Sequence, residues 1–217
     1  MAFKKQDIKV GIFWRLIEVV GAEFFAFCSF LILTRLLAPE HFGVIALATM
    51  LILVAQLVLF QGVGEALVQI EDIRPDWFSS GLWMNVGFAS LTALILIIAA
   101  PLIANTFAEP QFAPVLRAMA PLLLVFSISG ILQAKLRRDL KFKGFAFASI
   151  FATILGAIVA AVMALMGFKV WSLVGQQWAY TLASTAMFLA YARWLPRLMI
   201  KKAHIERLAG FSFNTIG

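Results

Sequence analysis

The residues whose types could do chemistry lie inside apolar stretches: Arg15, Glu18, Glu23 and Arg35 in the first, Gln56 and Glu65 in the second, Asn85 in the third. An ionisable group in hydrocarbon costs about 2.5–3.5 kcal/mol on insertion scales, so each must face a bundle interior or a wet cavity. Glu23 falls near the middle of its stretch, about 12 Å along a helix from Arg15. Either it takes up a proton or cation that drives a conformational cycle, or it is a buried carboxyl, neutral or bonded to a neighbouring helix. Arg15 and Glu18 stand three apart on one helix face, the spacing of an intrahelical ion pair. Arg35, in a last turn, complements the helix C-terminus and can snorkel to headgroups. Glu65 follows Gly62 and Gly64, which make either a hinge beside a cavity or an ordinary helix end. Gln56, Asn85, Gln133, Gln176 and Gln177 can bond a ligand or link helices. His41 and His204 are isolated, and no cysteine or histidine spacing suggests a metal or other cofactor. The single Cys28 cannot form an intrachain disulfide; in its apolar run it reads as a small buried hydrophobe.

The elements that position these residues follow from composition. With 63% of 217 residues hydrophobic and only 13% charged, one soluble core cannot hide the apolar surface, so the solvent must be largely lipid. A net charge of +7 could mean nucleic acid, but the basic residues cluster between apolar segments instead of forming one face or tail, which argues against a nucleic-acid partner. Six segments have the length of a membrane helix, about twenty residues. They are predicted at 12–37, 42–65, 79–104, 114–134, 145–167 and 170–192. This is an all-α polytopic bundle. Lysines precede the first segment, but Arg15, Glu18 and Glu23 interrupt it and no clean cleavage site follows, so it reads as an uncleaved span.

Pro39 is expected to stop the first span, with Glu40 and His41 at a water interface and Gly43 letting the chain reverse. Gly62 to Glu65 is expected to break the second. Small residues recur from Gly144 to Gly167 and offer a close-packing face. Trp77, Trp83, Trp171, Trp178 and Trp194 are expected to be mainly interfacial anchors. Fourteen of the eighteen basic residues fall before span one, between spans two and three or four and five, or after span six, and Arg15 lies near the first interface, leaving Arg35, Arg117 and Lys169 for the other side. By the positive-inside rule both termini are then cytoplasmic, which requires an even number of spans. The LRRDLKFK loop between spans four and five either contacts anionic lipid headgroups or only sets topology. Residues 1–192 form the predicted six-helix unit; 193–217 are basic and amphipathic to Leu208, then apolar, as a cytoplasmic linker into a further helix would be.

The stretch LTRLLAPEHFGVIALATMLILVAQLVLFQGVGEALVQ resembles the opening of the polysaccharide biosynthesis, or oligosaccharide flippase, family, which shares a superfamily with multidrug and toxin extruders. Three further stretches agree: FSSGLWMNVGFAS, ILQAKLRRDLKFKGFA and GFKVWSLVGQQWAY. The R-x-L-x-P-x-x-F-G turn and the L-R-R-x-L-x-F loop are distinctive together. The resemblance implies a bacterial inner-membrane protein of two pseudo-symmetric lobes around a central cavity, of which this chain covers one. It implies that the whole moves polyprenyl-pyrophosphate-linked oligosaccharide between leaflets by alternating access, for O-antigen, capsule or exopolysaccharide synthesis. The expected partners are the lipid-linked oligosaccharide, membrane lipids, and a second lobe or second copy of the chain.

On that reading Arg15 would meet the pyrophosphate at the cytoplasmic entrance, since guanidinium matches phosphate geometry, and the amide residues would bond sugar hydroxyls. A drug or toxin antiporter would favour an acidic cavity and a small cation instead. A non-catalytic assembly subunit is a third class. A membrane glycosyltransferase, polymerase or ligase would need a substantial loop with catalytic carboxylates or a metal motif, and the internal loops are short. No enzyme activity is expected.

Overall fold

A computed structural model describes residues 5–69, 75–107, 109–139 and 141–194. The described residues form seven helices: α1 (Lys5–Leu36), α2 (Pro39–Gln69), α3 (Pro75–Phe107), α4 (Phe112–Met119), α5 (Leu122–Arg138), α6 (Phe142–Leu165) and α7 (Val170–Ala192). Five apolar spans have crossing length: Phe13–Leu36, Pro39–Leu57, Trp77–Phe107, Phe112–Arg138 and Phe142–Leu165. The sixth, α7, has 23 residues, about 34 Å of helix, but Gln176, Gln177 and its hydroxyl residues make it less apolar. Its position explains that composition. α7 packs on α6 and α5 and touches α2 and α4, so its polar groups meet protein instead of lipid. α1 lies outside α6, while α5 also carries α3 and α2. The chain is a multi-pass helical membrane protein, with large apolar side chains such as Phe27, Ile98, Leu102 and Leu165 exposed on its outer faces.

Three expectations are corrected. The reversal after α1 is made by Leu37 and Ala38 alone, because Pro39 begins α2 instead of following a stop. The missing N–H of proline costs nothing at a first helical position, where that donor has no partner anyway. Gly43 therefore lies in the helix, where space around it is open. The break expected at Gly62 to Glu65 does not occur either, since α2 runs through to Gln69. Span four is two helices. Pro121 has no N–H to give the Arg117 carbonyl, and the chain turns through Ala120 and Pro121 before α5 starts.

That break is sealed by a residue expected to be an interfacial anchor. Trp178 lies in the interior of α7, and its Nε1 donates to the Ala118 carbonyl at 3.0 Å. A carbonyl at a helix break in a membrane interior has no water to turn to, so a side-chain donor there stabilises the break. Trp178→Phe, which keeps a smaller aromatic ring and removes the donor, is expected to cost about 1–2 kcal/mol for the lost hydrogen bond alone. Thermal or detergent unfolding of the full-length variant checks this, and an unchanged midpoint would show that the carbonyl finds another donor.

The basic loop between α5 and α6 is held tightly. Lys135 and Lys141 approach Asp139 at 3.1 and 3.9 Å, and Lys141 Nζ also donates to the Tyr191 carbonyl at 3.1 Å. Lys135 lies over Phe78, Arg137 over Phe145, and Lys143 over Trp14 and Phe147, each 5.5–5.9 Å from the ring centroid. Trp194 packs edge-on against Phe78. These contacts gather the start of α1, the start of α3, the α5–α6 turn and the end of α7 at one end of the bundle. Of the predicted linker, Arg193 closes α7 in the left-handed conformation at φ 48°, and residues 195–217 lie outside the described residues.

Candidate functional site

The polar residues of α1 define the candidate site. Glu18 is buried and Arg15 holds it from one turn away, a single Nη1 donating to both carboxylate oxygens at 2.7 Å. The guanidinium side of the pair is half-exposed, with Arg15 at 55%. The expected intrahelical pair is therefore present, and its cation reaches outward at the α1 end where the basic loop gathers.

Five residues further on, Glu23 is rotated about 140° from Glu18 and about 7.5 Å along the axis. It is exposed. The expectation of a buried carboxyl bonded to a neighbouring helix is thus corrected: α1 turns its contact face, Gly11, Trp14, Glu18, Gly21 and Ser29, to α6 and α7, and Glu23 is not on it. Glycine permits this contact. A Cβ at Gly11 would meet the Phe142 ring at 3.1 Å and one at Gly21 would meet Ile150 at 2.9 Å.

Tyr180 of α7 completes the cluster. Its side chain bonds that of Ser149 on α6, and both Glu18 and Glu23 lie close enough to act on it electrostatically. One turn earlier on the same face, Gln176 Nε2 donates to Ser29 Oγ on α1 at 3.3 Å. A seam of Glu18, Ser29, Ser149, Gln176 and Tyr180 thus joins three helices, with Glu23 at its exposed edge. It offers two carboxylates, one neutralised by arginine and one not, beside a phenol.

Sequence reasoning had not singled out Tyr180, Ser149 or Ser29. The only signal available was the four-residue spacing of Gln176 and Tyr180, which puts them on one helix face. The remaining expected residues lie elsewhere. Arg35 is exposed at the other end of α1, and Gln56 is half-buried on α2. Asn85 is 1% exposed on the α3 face that carries Phe78 and Leu82, and its Oδ1 has no hydrogen-bond partner among the described residues. A ligand could reach it only if α3 moved. The side chain of Glu65 lies outside the described residues. Among the described residues no group of three histidine, cysteine or acidic side chains could hold a metal.

Comparison with known proteins agrees with this architecture. The chain is 30% identical over 205 residues to the succinoglycan biosynthesis transport protein ExoT of Rhizobium meliloti (strain 1021), covering 94% of this chain and 41% of that one. It is 29% identical over 101 residues to the teichuronic acid biosynthesis protein TuaB of Bacillus subtilis (strain 168), covering 46% and 21%. It is 21% identical over 142 residues to the lipopolysaccharide biosynthesis protein WzxC of Escherichia coli (strain K12), covering 65% and 29%. The chain spans less than half the length of each of these curated relatives. No solved structure matches it. The match to the family described as polysaccharide biosynthesis protein runs from residue 32 to residue 217, most of the chain, and the chain belongs to that family.

Proposed function

We propose that the chain is one lobe of an inner-membrane flippase that carries polyprenyl-pyrophosphate-linked oligosaccharide across the membrane by alternating access, with both termini cytoplasmic. The observation that carries this is the exposed carboxyl of Glu23, midway along a membrane span at the outer edge of the α1–α6–α7 seam. A carboxyl in that place is tolerated only against water or another protein surface. The face of α1 bearing Glu23 is therefore the wall of a wet cavity, closed by a second lobe or second copy.

Arg15 stands at the end of that wall where the basic loop gathers, and guanidinium suits a pyrophosphate arriving from the cytoplasm. Glu23 is the proton or cation site that drives the return of the lobe. The relatives' names support the class of cargo: they refer to succinoglycan, teichuronic acid and lipopolysaccharide, three different saccharide products. What such products can share is a lipid-linked intermediate.

Wetness at Glu23 is directly measurable. In the full-length protein with Cys28→Ala, a Glu23→Cys thiol is expected to react with a membrane-impermeant reagent at least about 10-fold faster than Ile98→Cys on the outer face of α3, because the reactive thiolate forms in water and not in hydrocarbon. Equal, slow labelling of the two would sink the cavity assignment.

A further inference from the structure

The side of α1 opposite Glu23 carries a groove that the proposed transport cycle does not use. Phe25, Cys28 and Ile32 of α1 and Ile154, Ala157 and Ala161 of α6 line it, and its volume is about 200 Å³. The α1 residues involved span seven positions, about 10 Å of helix, so the mean cross-section is about 20 Å², the width of one extended hydrocarbon chain. The groove is shallow where α6 carries isoleucine and deep where it carries alanine. Its inner wall is shut by the Ser29–Gln176 bond.

Phe25 and Glu23 are two residues apart, hence about 160° apart around α1. If Glu23 faces water, the groove faces lipid. The lining is almost entirely apolar, but its outer end is not. Arg35 lies two turns, about 10 Å, beyond Cys28 and within about 20° of it around the helix, and it is exposed. Lys169 is exposed in the α6–α7 turn at the same end of the bundle. An apolar channel one chain wide that leads to a cation at the membrane surface has the layout of an anionic lipid: hydrocarbon below, phosphate above.

We infer that the α1–α6 groove binds one acyl chain of an anionic glycerophospholipid from the leaflet on the α1–α2 turn side, with Arg35 holding its phosphate. The narrowing at the α6 isoleucines favours an unbranched acyl chain over an isoprenoid chain, whose regular methyl branches need more room. The lipid fills the seam between the helix that forms the cavity wall and the helix behind it, so it stabilises α1 against α6 from the lipid side. This assignment depends on the orientation of α1 but not on the cargo.

Cys28, the single cysteine of the sequence, reports on the groove directly. The full-length protein is placed in nanodiscs of dioleoyl phosphatidylcholine with or without dioleoyl phosphatidylglycerol, and N-ethylmaleimide modification at Cys28 is followed by peptide mass. Phosphatidylglycerol is expected to slow modification by about five-fold, Arg35→Lys to keep most of that protection, and Arg35→Gln to abolish it. Native mass spectrometry should show one phosphatidylglycerol retained per chain, lost on Ala161→Leu, which fills the groove. Identical Cys28 protection in the two lipid mixtures, or full protection in Arg35→Gln, overturns the proposal. So does displacement of the phosphatidylglycerol by an equal amount of undecaprenyl phosphate, which would assign the groove to the carrier. The wild-type comparison needs no variant to fold, and the Glu23→Cys measurement is unaffected by its outcome.

Discussion

Glu23→Gln in the full-length protein is expected, on the proposed transport cycle, to abolish surface polysaccharide display while the protein remains in the membrane at its normal level. Glutamine keeps the size and hydrogen-bonding capacity of the side chain and removes its charge and proton. Because Glu23 is exposed among the described residues, the substitution has little packing to disturb there, so a stability loss is not expected to confound the result. Losing one charge interaction of about 1.4 kcal/mol is already a ten-fold change, and on the proposed cycle, in which Glu23 binds and releases a proton or cation, the step itself is lost. Surface polysaccharide is read by immunoblot or phage sensitivity, and protein level by blotting of membranes. Normal display would remove Glu23 from the mechanism, and a loss of both display and protein would mark it as structural. Glu18→Gln should behave differently. It weakens the bond by which exposed Arg15 holds the buried Glu18 side chain in the α1–α6–α7 seam, and so is expected to lower protein level along with display.

Gly156→Leu separates α6 from α7. On α6, Gly144, Ala148, Ala152, Gly156, Ala160 and Ala164 recur every fourth residue and all are buried, a ridge of small side chains along the helix. Such a ridge lets two backbones approach closely, which is how membrane helices gain contact without a hydrophobic driving force. At Gly156 the approach is tightest against backbone: a Cβ would sit 3.1 Å from the Gln176 carbonyl oxygen and 3.4 Å from the Tyr180 Cβ. Gly144 is packed against the Tyr191 ring, which can rotate, whereas a carbonyl in a helix cannot. Leucine at 156 is therefore expected to cost about 3 kcal/mol or more, the upper end for overpacking a tight core. Alanine is expected to fall within about 1 kcal/mol of neutral, since its gain in helix propensity offsets the squeeze. The measurement is the unfolding midpoint of the purified full-length variants. A leucine variant as stable as the alanine one would show that α7 can slide off the ridge at little cost. The same displacement would carry Gln176 from Ser29 and Tyr180 from Ser149, so export should fall with stability.

The sequence by itself determined the class, the number and order of the spans, and the family. These depend on local quantities: the length of an apolar run against the thickness of hydrocarbon, and motifs read in register along the chain. The ends of α7 were legible to the residue, because Gly167 and Lys169 in the preceding turn and Arg193 after it bracket the run. Helix starts were less so. Pro39 can equally end one helix or begin the next, and only the chain's path shows that it begins α2.

Only the tertiary structure decided which way each helix faces. α1 is apolar on all sides, so no stripe in its sequence distinguishes an inner face from an outer one. Glu18 and Glu23 look alike in the sequence, five positions apart in one apolar run. Packing against α6 and α7 turned Glu18 inward to Arg15 and left Glu23 outside, and it brought Tyr180 and Ser149, far away in the chain, to the same place. The break in span four followed the same logic. Pro121 could have been a kink or an end; it is a break, and Trp178, on a helix sixty residues away, donates to the Ala118 carbonyl beside it.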